Sequence, residues 1–589
     1  MTGLRGQKLN IHDLADLPSL ASFNKSELRK LLSLGHEISV PAGQIFIEEG
    51  AEANSFYILV KGRAEVKKGG NHVTEVNAGV FLGEMALFNK NVRVSELVSL
   101  EAVTLLEFPT DKFWKLVLHN DPLAVKVMES LGHIMTERLQ QQDAELFSQI
   151  DKNDPALANL IATFEPIKRQ LMADWSLKYH AIGRPGKLAI SATKPSGSAA
   201  DLSVAYSPGV SEPCLAIKAN ASKAYEYTTK GQLVGVITNG TAVLGLGDIG
   251  ALAAKPVMEG KAILFKQFAD IDAFDIEVNE QDPDRFIDIV CALSPTFGGI
   301  NLEDIRSPEC FYIEKKCNEC TDIPVFHDDQ HGTAIISGAA LLNALEITGK
   351  QINEIHVVFS GAGAAGFTCA KYFISLGVRP ENLLMTDVKG VVYKGRGDNN
   401  YLDDVAVDTD MRTLAEAMKG ADVFMGASVP GILMPEMLRN MNKDPIVFAL
   451  ANPVPEIDYP VAVRTRPDVI MGTGRSDYPN QINNVSAFPY IFRGALDTNA
   501  HCINETMKHA ATIALATLAR EPVNEEAGFD AKGLIFSKRY IIPKPFDRRL
   551  LIEISAAVAQ AAMDTGVAEK MLDIDEYKQH LRTLIRLKI

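Results

Sequence analysis

The chain is 589 residues long, 47% hydrophobic and 23% charged, with a formal net charge of −15. That length exceeds a single hydrophobic core and implies two to four domains. The acidity argues against nucleic acid or an anionic membrane as the main partner, and no stretch stays apolar long enough to span a bilayer.

The start, MTGLRGQKLNIHDLADL, lacks the apolar core of a signal peptide, and seven cysteines in so long a chain fit a reducing, cytoplasmic setting. Residues 20–35 read as a short amphipathic helix. From Glu37 to Phe108 short strands alternate with glycine turns (QIFIEEG, SFYILVKG, RAEVKKGG, HVTEVNAG), which predicts a small β-barrel or jelly roll. A helical period returns over 110–146 through Phe113, Leu116, Leu131 and Leu139. The polar stretch that follows reads as a connector.

Within this block, Gly79-Val-Phe-Leu-Gly83-Glu84-Met-Ala86-Leu-Phe, followed by Arg93 and preceded by turn glycines Gly50 and Gly62, resembles the cyclic-nucleotide-binding domain family. The resemblance implies a cAMP-like effector. Glu84 would accept from the ribose 2′-hydroxyl, Arg93 would hold the cyclic phosphate, and a short helix after Gly83 would also offer N–H groups to it. The chemistry agrees, since a carboxylate accepts from a hydroxyl and a guanidinium matches an anionic phosphate. Val92 and Glu96 depart from the family's pattern.

Further along, strands are predicted at Leu233–Thr238 and Ala262–Phe265, with Pro256 and Gly260 as breaks. Ala205-Tyr206-Ser-Pro208-Gly209 places a phenol before a turn, and Glu259-Gly-Lys261 places a lysine at the mouth of the second strand. Glu303 and Asp304 follow a glycine turn. Asp328 and Asp329 end an apolar strand, ahead of a helix expected from about Thr333. Two acid pairs at separate strand ends suit Mg2+ or Mn2+, which prefer carboxylate oxygens; solvated or salt-bridged turns are the equal alternative. Cys310, Cys317 and Cys320 crowd together as zinc ligands would, without an obvious fourth ligand.

The strongest motif is Ile355–Ser360, a short apolar strand running into Gly361-Ala-Gly363-Ala364-Ala365-Gly366, an apolar helix, and a second strand ending on Asp387. That sequence of elements is the dinucleotide-binding fingerprint of a Rossmann-like α/β domain. Strands at Asp422–Gly426, Ile446–Leu450 and Val469–Gly472 continue the sheet. Asp387 favours NAD, whereas Lys389, Lys394 and Arg396 suit the 2′-phosphate of NADP. Alanine-rich helices over 500–519 and 550–567 and a charged amphipathic one over 571–589 read as packing elements that close the domain.

From about Lys178 to Val567 the chain closely resembles the malic enzyme family in its compact bacterial form. The motifs are DLSVAYSPGVSEPC, NGTAVLGLGDIG, MEGKAILFKQFADIDAFDI, PTFGGINLEDI, IPVFHDDQHGTAI, FSGAGAAGFTCA and TGRSDYPNQINN. The resemblance implies metal-dependent oxidative decarboxylation of malate to pyruvate and CO2, with NADP or NAD and NADP favoured, by a homodimer or larger homo-oligomer. It implies Tyr206 as general acid, Lys261 as general base with Asp328 beside it, and Glu303, Asp304 and Asp329 as metal ligands. Asn452 and Asn484 would hold the substrate, and Gly361, Gly363, Ala364, Ala365, Gly366, Asp387, Lys389 and Asn452 the dinucleotide. Burial beside a cation should lower the pKa of Lys261. Ala242 stands where larger members of the family have a substrate-binding arginine, for which a backbone nest, a helix start or Arg475 could substitute. His327 and His331 read as structural.

The expected division is a regulatory domain over 1–147, a linker over 148–165, a substrate domain over 166–332, and a cofactor domain with closing helices over 333–589. A non-decarboxylating 2-hydroxyacid dehydrogenase and a non-catalytic nucleotide-responsive assembly are the alternatives.

Overall fold

The structure is a computed structural model. It describes residues 9–131 apart from 16, 21–22, 85–92, 94, 119–120, 122, 125 and 128–130, and residues 173–586 apart from 175, 182, 244, 398–399, 453, 477 and 529–533. The expected linker over 148–165 and the helical positions 132–146 lie outside the described residues. The chain divides into two compact units, Met1–Gly186 and Lys187–Ile589.

The first unit holds two four-stranded antiparallel sheets. One is ordered β1 (His36–Val40), β8 (Val103–Pro109), β3 (Ser55–Lys61) and β6 (Val80–Leu82). The other is ordered β2 (Ile45–Ile47), β7 (Glu96–Ser99), β4 (Arg63–Lys68) and β5 (Asn71–Asn77). Strand β3 is buried from Phe56 to Val60, on both faces. Phe56 stacks on Phe108 at 5.0 Å, and helix α1 (Lys25–Leu34) packs Leu28 and Leu31 into the same core. Asn24 and Glu27 start that helix with a capping box, satisfying two otherwise unpaired backbone donors.

The second unit contains two further sheets. β10 (Asp272–Glu277), β9 (Leu233–Thr238), β11 (Gly299–Leu302) and β12 (Val325–His327) pair in that order, all parallel. The larger sheet runs β15 (Gly390–Val391), β14 (Leu383–Asp387), β13 (Val357–Ser360), β16 (Val423–Gly426), β17 (Ile446–Ala449) and β18 (Ile470–Thr473). It is parallel except for the β15 edge. Strands β9, β13, β16, β17 and β18 are buried at every residue, as expected when helices cover both faces. Strand order reverses at β13, which pairs β14 on one side and β16 on the other. Ligands bind outside the carboxyl ends of the strands at such a point.

Two expected elements differ. Residues 262–265 are not a strand; they lie in helix α3 (Ala251–Ala269), following α2 (Ala199–Ala205). Buried Ala254, Met258, Ala262, Phe265 and Ala269 recur at three to four residues, a helical period that the short apolar run AILF concealed. Pro256 sits inside this helix rather than breaking it. The helix expected from Thr333 starts at Asp328, so that Asp328 and Asp329 occupy its first turn, where the helix dipole favours acids.

That helix, α6 (Asp328–Thr348), follows α4 (Pro283–Leu293) and α5 (Glu309–Cys320). Cys310 and Cys317 are buried in the core face of α5, while Cys320 is joined to Cys291 of α4 as a disulfide. The three crowded cysteines therefore do not share one zinc site. Helices α7 (Ala364–Ser375), α8 (Phe488–Asp497), α9 (Glu505–Arg520), α10 (Arg549–Asp564) and α11 (Ile574–Arg586) complete the unit. Phe265 meets Phe488 and Phe492 edge-on at 4.9 and 5.2 Å, fixing α3 against α8. Full burial of one such ring contributes roughly 1.5–3 kcal/mol. Among the described residues no helix is long and apolar enough to cross a membrane.

Candidate functional site

Four elements converge on one lysine. Lys261 lies on the buried face of α3, 7% exposed, one turn before Phe265. Its Nζ is 2.5 Å from Asp328 Oδ2, 2.8 Å from Glu303 Oε1 and 4.3 Å from the centre of the Phe488 ring. Asn484 donates from Nδ2 to the same Asp328 oxygen. Gly332, one turn along α6, is required here, because a Cβ on it would stand 2.0 Å from Asp328 Oδ1.

Beside the lysine, carboxylate oxygens of Glu303, Asp304 and Asp329 lie within 4.8 Å of one another. Asn301, fully buried, donates to Glu303 Oε2 at 2.8 Å, and the Asp304 amide donates to Asp329 Oδ2 at 2.9 Å. Asp304 adopts φ +55°, a left-handed conformation uncommon outside glycine. The 239–250 loop holds it there: Ala242 N–H donates to the Asp304 carbonyl, and Arg306 N–H to Thr241 Oγ1, each at 3.0 Å.

Burial pushes the carboxyl groups of Glu303 and Asp328 upward. Neighbouring acids push Glu303 further the same way, against the pull of Lys261. For Lys261, burial favours the neutral amine, but Asp328, Glu303 and Asp329 outweigh it and hold the ammonium above the ordinary lysine range. The sequence reading counted a cation beside the lysine; the carboxylates by themselves act in the opposite direction. Three acids that repel one another, offering only oxygen donors, fit a hard divalent cation such as Mg2+ or Mn2+.

The glycine turn after β13 is shaped by contact. A Cβ on Gly361, at φ +109°, would meet the Ala427 carbonyl oxygen at 2.2 Å, and one on Gly366 would meet the Gly361 oxygen at 1.9 Å. A Cβ on Gly363 would meet nothing within 4 Å. The outer glycines pack the turn and the middle one faces open space, with the Ala364 and Ala365 amides at the uncapped start of α7, an end that favours anions. Gly366→Val is therefore expected to destabilise or unfold the second unit. Gly363→Val is expected to leave the melting temperature near wild type while dinucleotide KM rises at least tenfold. Equal thermal shifts in the two variants would contradict this reading.

At the end of β14, Asp387 is clamped by Arg396 through two bonds, Nη2 to Oδ2 at 2.5 Å and Nη1 to Oδ1 at 3.0 Å. The Lys389 amide donates to Asp387 Oδ1 at 2.8 Å, and the Lys389 and Lys394 side chains are exposed. Asn452, after β17, lies where a Cβ on Gly474 would be 3.0 Å from its Nδ2 and one on Gly245 would be 3.2 Å from its carbonyl oxygen. It thus sits between the loop carrying Ala242 and the loop carrying Arg475. Glu456, fully buried, accepts from the amides of Ser428 and Ala451, and Ser428 Oγ is 2.9 Å from Ser360 Oγ. This tie across the ends of β13, β16 and β17 had no sequence signal beyond an acid in a loop, and Asn301 had none at all.

Tyr206 is not brought to the cluster. It caps the end of α2 and is 75% exposed, beside exposed Leu202, Val204, Val210 and Leu215. In the first unit, Arg93 is nearly buried. It donates to the carbonyls of Ser55 at 2.7 Å and Gly83 at 3.1 Å, and burial, partly opposed by Tyr57, Glu107 and Glu84, lowers its pKa. Gly83 and Arg93 are thus adjacent and within the field of Glu84; Val92 lies outside the described residues.

Residues 185–318 match the family described as "Malic enzyme, N-terminal domain", and residues 330–529 match "Malic enzyme, NAD binding domain". Residues 37–120 match "Cyclic nucleotide-binding domain". The NADP-dependent malic enzyme of Escherichia coli K12 is 54% identical over 416 residues, which is 70% of this chain and 55% of that protein. The chain thus spans about half the length of the curated relatives it matches first. The NADP-dependent malic enzyme of Halomonas elongata is 55% identical over 67% of this chain and 94% of its own length. The NAD-dependent malic enzyme of Rhizobium meliloti is 53% identical over 417 residues, 70% of this chain and 54% of that protein. Among solved structures, malic enzyme from Pyrococcus horikoshii superposes with a TM-score of 0.63 at 44% identity, covering 68% of this chain and 92% of that one. The chain belongs to the malic enzyme family, with a domain matching the cyclic nucleotide-binding family at its N-terminal end.

Proposed function

We propose that the chain converts malate to pyruvate and CO2 while reducing a nicotinamide dinucleotide. The observation that carries this is the buried Lys261, bonded to Asp328 and set against the oxygen cluster of Glu303, Asp304 and Asp329. When bound, the dinucleotide supplies a hydride acceptor and the divalent cation supplies Lewis-acid polarisation of the substrate oxygens. Glu303, Asp304 and Asp329 would hold that cation, and the Gly361–Gly366 turn the pyrophosphate. A cation held by Glu303, Asp304 and Asp329 would offset the carboxylate charge that keeps Lys261 protonated, and the neutral amine, held in place by Asp328 and by the Phe488 ring, would take the proton from the C2 hydroxyl. Asn484 and Asn452 orient the substrate. Absorbance at 340 nm with malate, Mn2+ and either dinucleotide tests the reading: reduction supports it, and failure to reduce both contradicts it.

Tyr206 donates the proton to C3. Its exposure, among exposed apolar neighbours, supports a homo-oligomer in which a second copy covers this face. NADP is the preferred dinucleotide in this reading. Arg396 neutralises Asp387, the acid that would otherwise repel a 2′-phosphate, and Lys389 and Lys394 stand at the same turn. Replacing Arg396 with alanine should raise the NADP KM by about tenfold or more, the usual worth of a charged hydrogen bond, with little change for NAD. Parallel changes for both dinucleotides would contradict it. Relatives of both kinds are similar to this chain, so the preference rests on this geometry.

The N-terminal domain reads a cyclic nucleotide in a jelly-roll pocket formed at Gly83, Glu84 and Arg93, and so regulates the enzyme. Calorimetry on the full chain is expected to show heat with cAMP, lost in Arg93→Ala. No heat with cAMP, cGMP or a cyclic dinucleotide would overturn it.

A further inference from the structure

Behind the first turn of α6 runs a chain of buried charges that the proposed chemistry does not use. Lys508 comes from α9, 177 positions after His331, and its side chain is only 7% exposed. Its Nζ lies 3.1 Å from His331 Nδ1 and 2.9 Å from Glu505 Oε1. On the other side of the ring, His331 Nε2 lies 2.8 Å from Glu314 Oε1 and 3.0 Å from Oε2. Glu314, on α5, also accepts the backbone N–H of His327 at 3.0 Å.

The Lys508 ammonium can only donate and the Glu314 carboxylate can only accept, and His331 lies between them, its Nε2 also 3.4 Å from Lys508 Nζ. His327 caps α6 without a side-chain hydrogen bond, so Glu314 supplies the acceptor at that helix start. The His327 ring itself is fully buried, and neither nitrogen has a hydrogen-bond partner among the described residues. Burial would raise the pKa of Glu314, but His331, Lys508 and His327 bring it down to about 2.

The turn held in this way carries Asp328 and Asp329, which face Glu303 and Asp304. Four acids in one place repel one another, and a helix start without a side-chain cap would yield to that force first. We propose that Glu314 and Lys508 are positioning residues of the metal centre: through His331 and the His327 amide they fix the turn that aims Asp328 at Lys261 and Asp329 at the cation. The proposal rests on the reading of Glu303, Asp304 and Asp329 as cation ligands. It gives the closing helix α9 a part in the site, beyond packing.

The test is a titration of the full-length protein with MnCl2, with free Mn2+ counted by electron paramagnetic resonance, beside thermal melting. Lys508→Met keeps the apolar stem and removes the charge. Glu314→Ala removes both acceptors, and Glu314→Gln keeps one for the His327 amide. Lys508→Met and Glu314→Ala are expected to weaken Mn2+ binding by about 10–100-fold, the usual effect of losing an outer partner, with Glu314→Gln in between. Arg549→Met is the control. It breaks a buried pair with Asp547 at 2.7 Å on the neighbouring α10, and should lower the melting temperature while leaving Mn2+ binding within twofold. Mn2+ affinity within twofold of wild type in the Lys508 and Glu314 variants would overturn the proposal, whatever their melting temperatures. Should Lys508→Met fail to fold, Glu314→Gln decides alone. A wild-type protein that binds no Mn2+ overturns both this proposal and the metal reading beneath it.

Discussion

Changing Lys261 to methionine is expected to lower kcat by roughly 10²–10⁴-fold, the usual worth of proton transfer by a placed group, with malate KM moving far less. Methionine keeps the length of the stem, so contact with the Phe488 ring survives and α3 stays fixed through Phe265. What is lost is the only nitrogen base within bonding distance of both Asp328 and Glu303 among the described residues. A drop in kcat and in kcat/KM by the same factor would mark an interaction made in the transition state. Near-normal turnover would remove Lys261 from the mechanism. A rise in KM alone would make it a binding residue.

Asp329→Ala should have the second largest effect. Asp329 serves twice: its carboxylate belongs to the oxygen cluster, and its Oδ2 accepts the Asp304 amide that keeps Asp304 at φ +55°. Its removal takes one donor and loosens another. The loss of Mn2+ affinity should therefore exceed the ~10–100-fold that outer partners cause. With Mn2+ far above the wild-type requirement, part of the activity should return, because Lys261, Asp328 and Glu303 remain in contact. Wild-type affinity in this variant would show that the three acids are a salt-bridged cluster and not a cation site. Asp329→Glu, which restores the charge at a longer reach, should recover more affinity than Asp329→Asn.

Much of this was legible in the sequence because it is local. The β9 strand over Leu233–Thr238 has the limits its apolar run gave, and the turn at Gly361–Gly366 follows from a strand, three glycines and a helix in sequence. The acids of the cluster were visible as two pairs. Other features were concealed by ambiguity at short range: AILF suits a strand or a buried helix equally, and only the neighbours Ala254, Met258 and Ala269 decide for the helix. The start of α6 was displaced because its cap is the carboxylate of Glu314 on another helix, which no local pattern reveals. Long-range partners were beyond reach for the same reason. The Lys508 contact with His331, the Cys291–Cys320 pair and the Asp387–Arg396 clamp each depend on how elements fold back on one another. The carboxylates that raise the Lys261 pKa were not legible, because the number of acids around a buried amine is a property of packing.

Product stoichiometry tests the proposed reaction most directly. Purified protein would be given malate, Mn2+ and NADP or NAD, with reduced dinucleotide followed at 340 nm and pyruvate, CO2 and oxaloacetate quantified when the reaction stops. One pyruvate and one CO2 are expected for each dinucleotide reduced. Reduced dinucleotide with oxaloacetate accumulating and no CO2 would contradict it, and would make the chain a dehydrogenase that keeps the carboxylate.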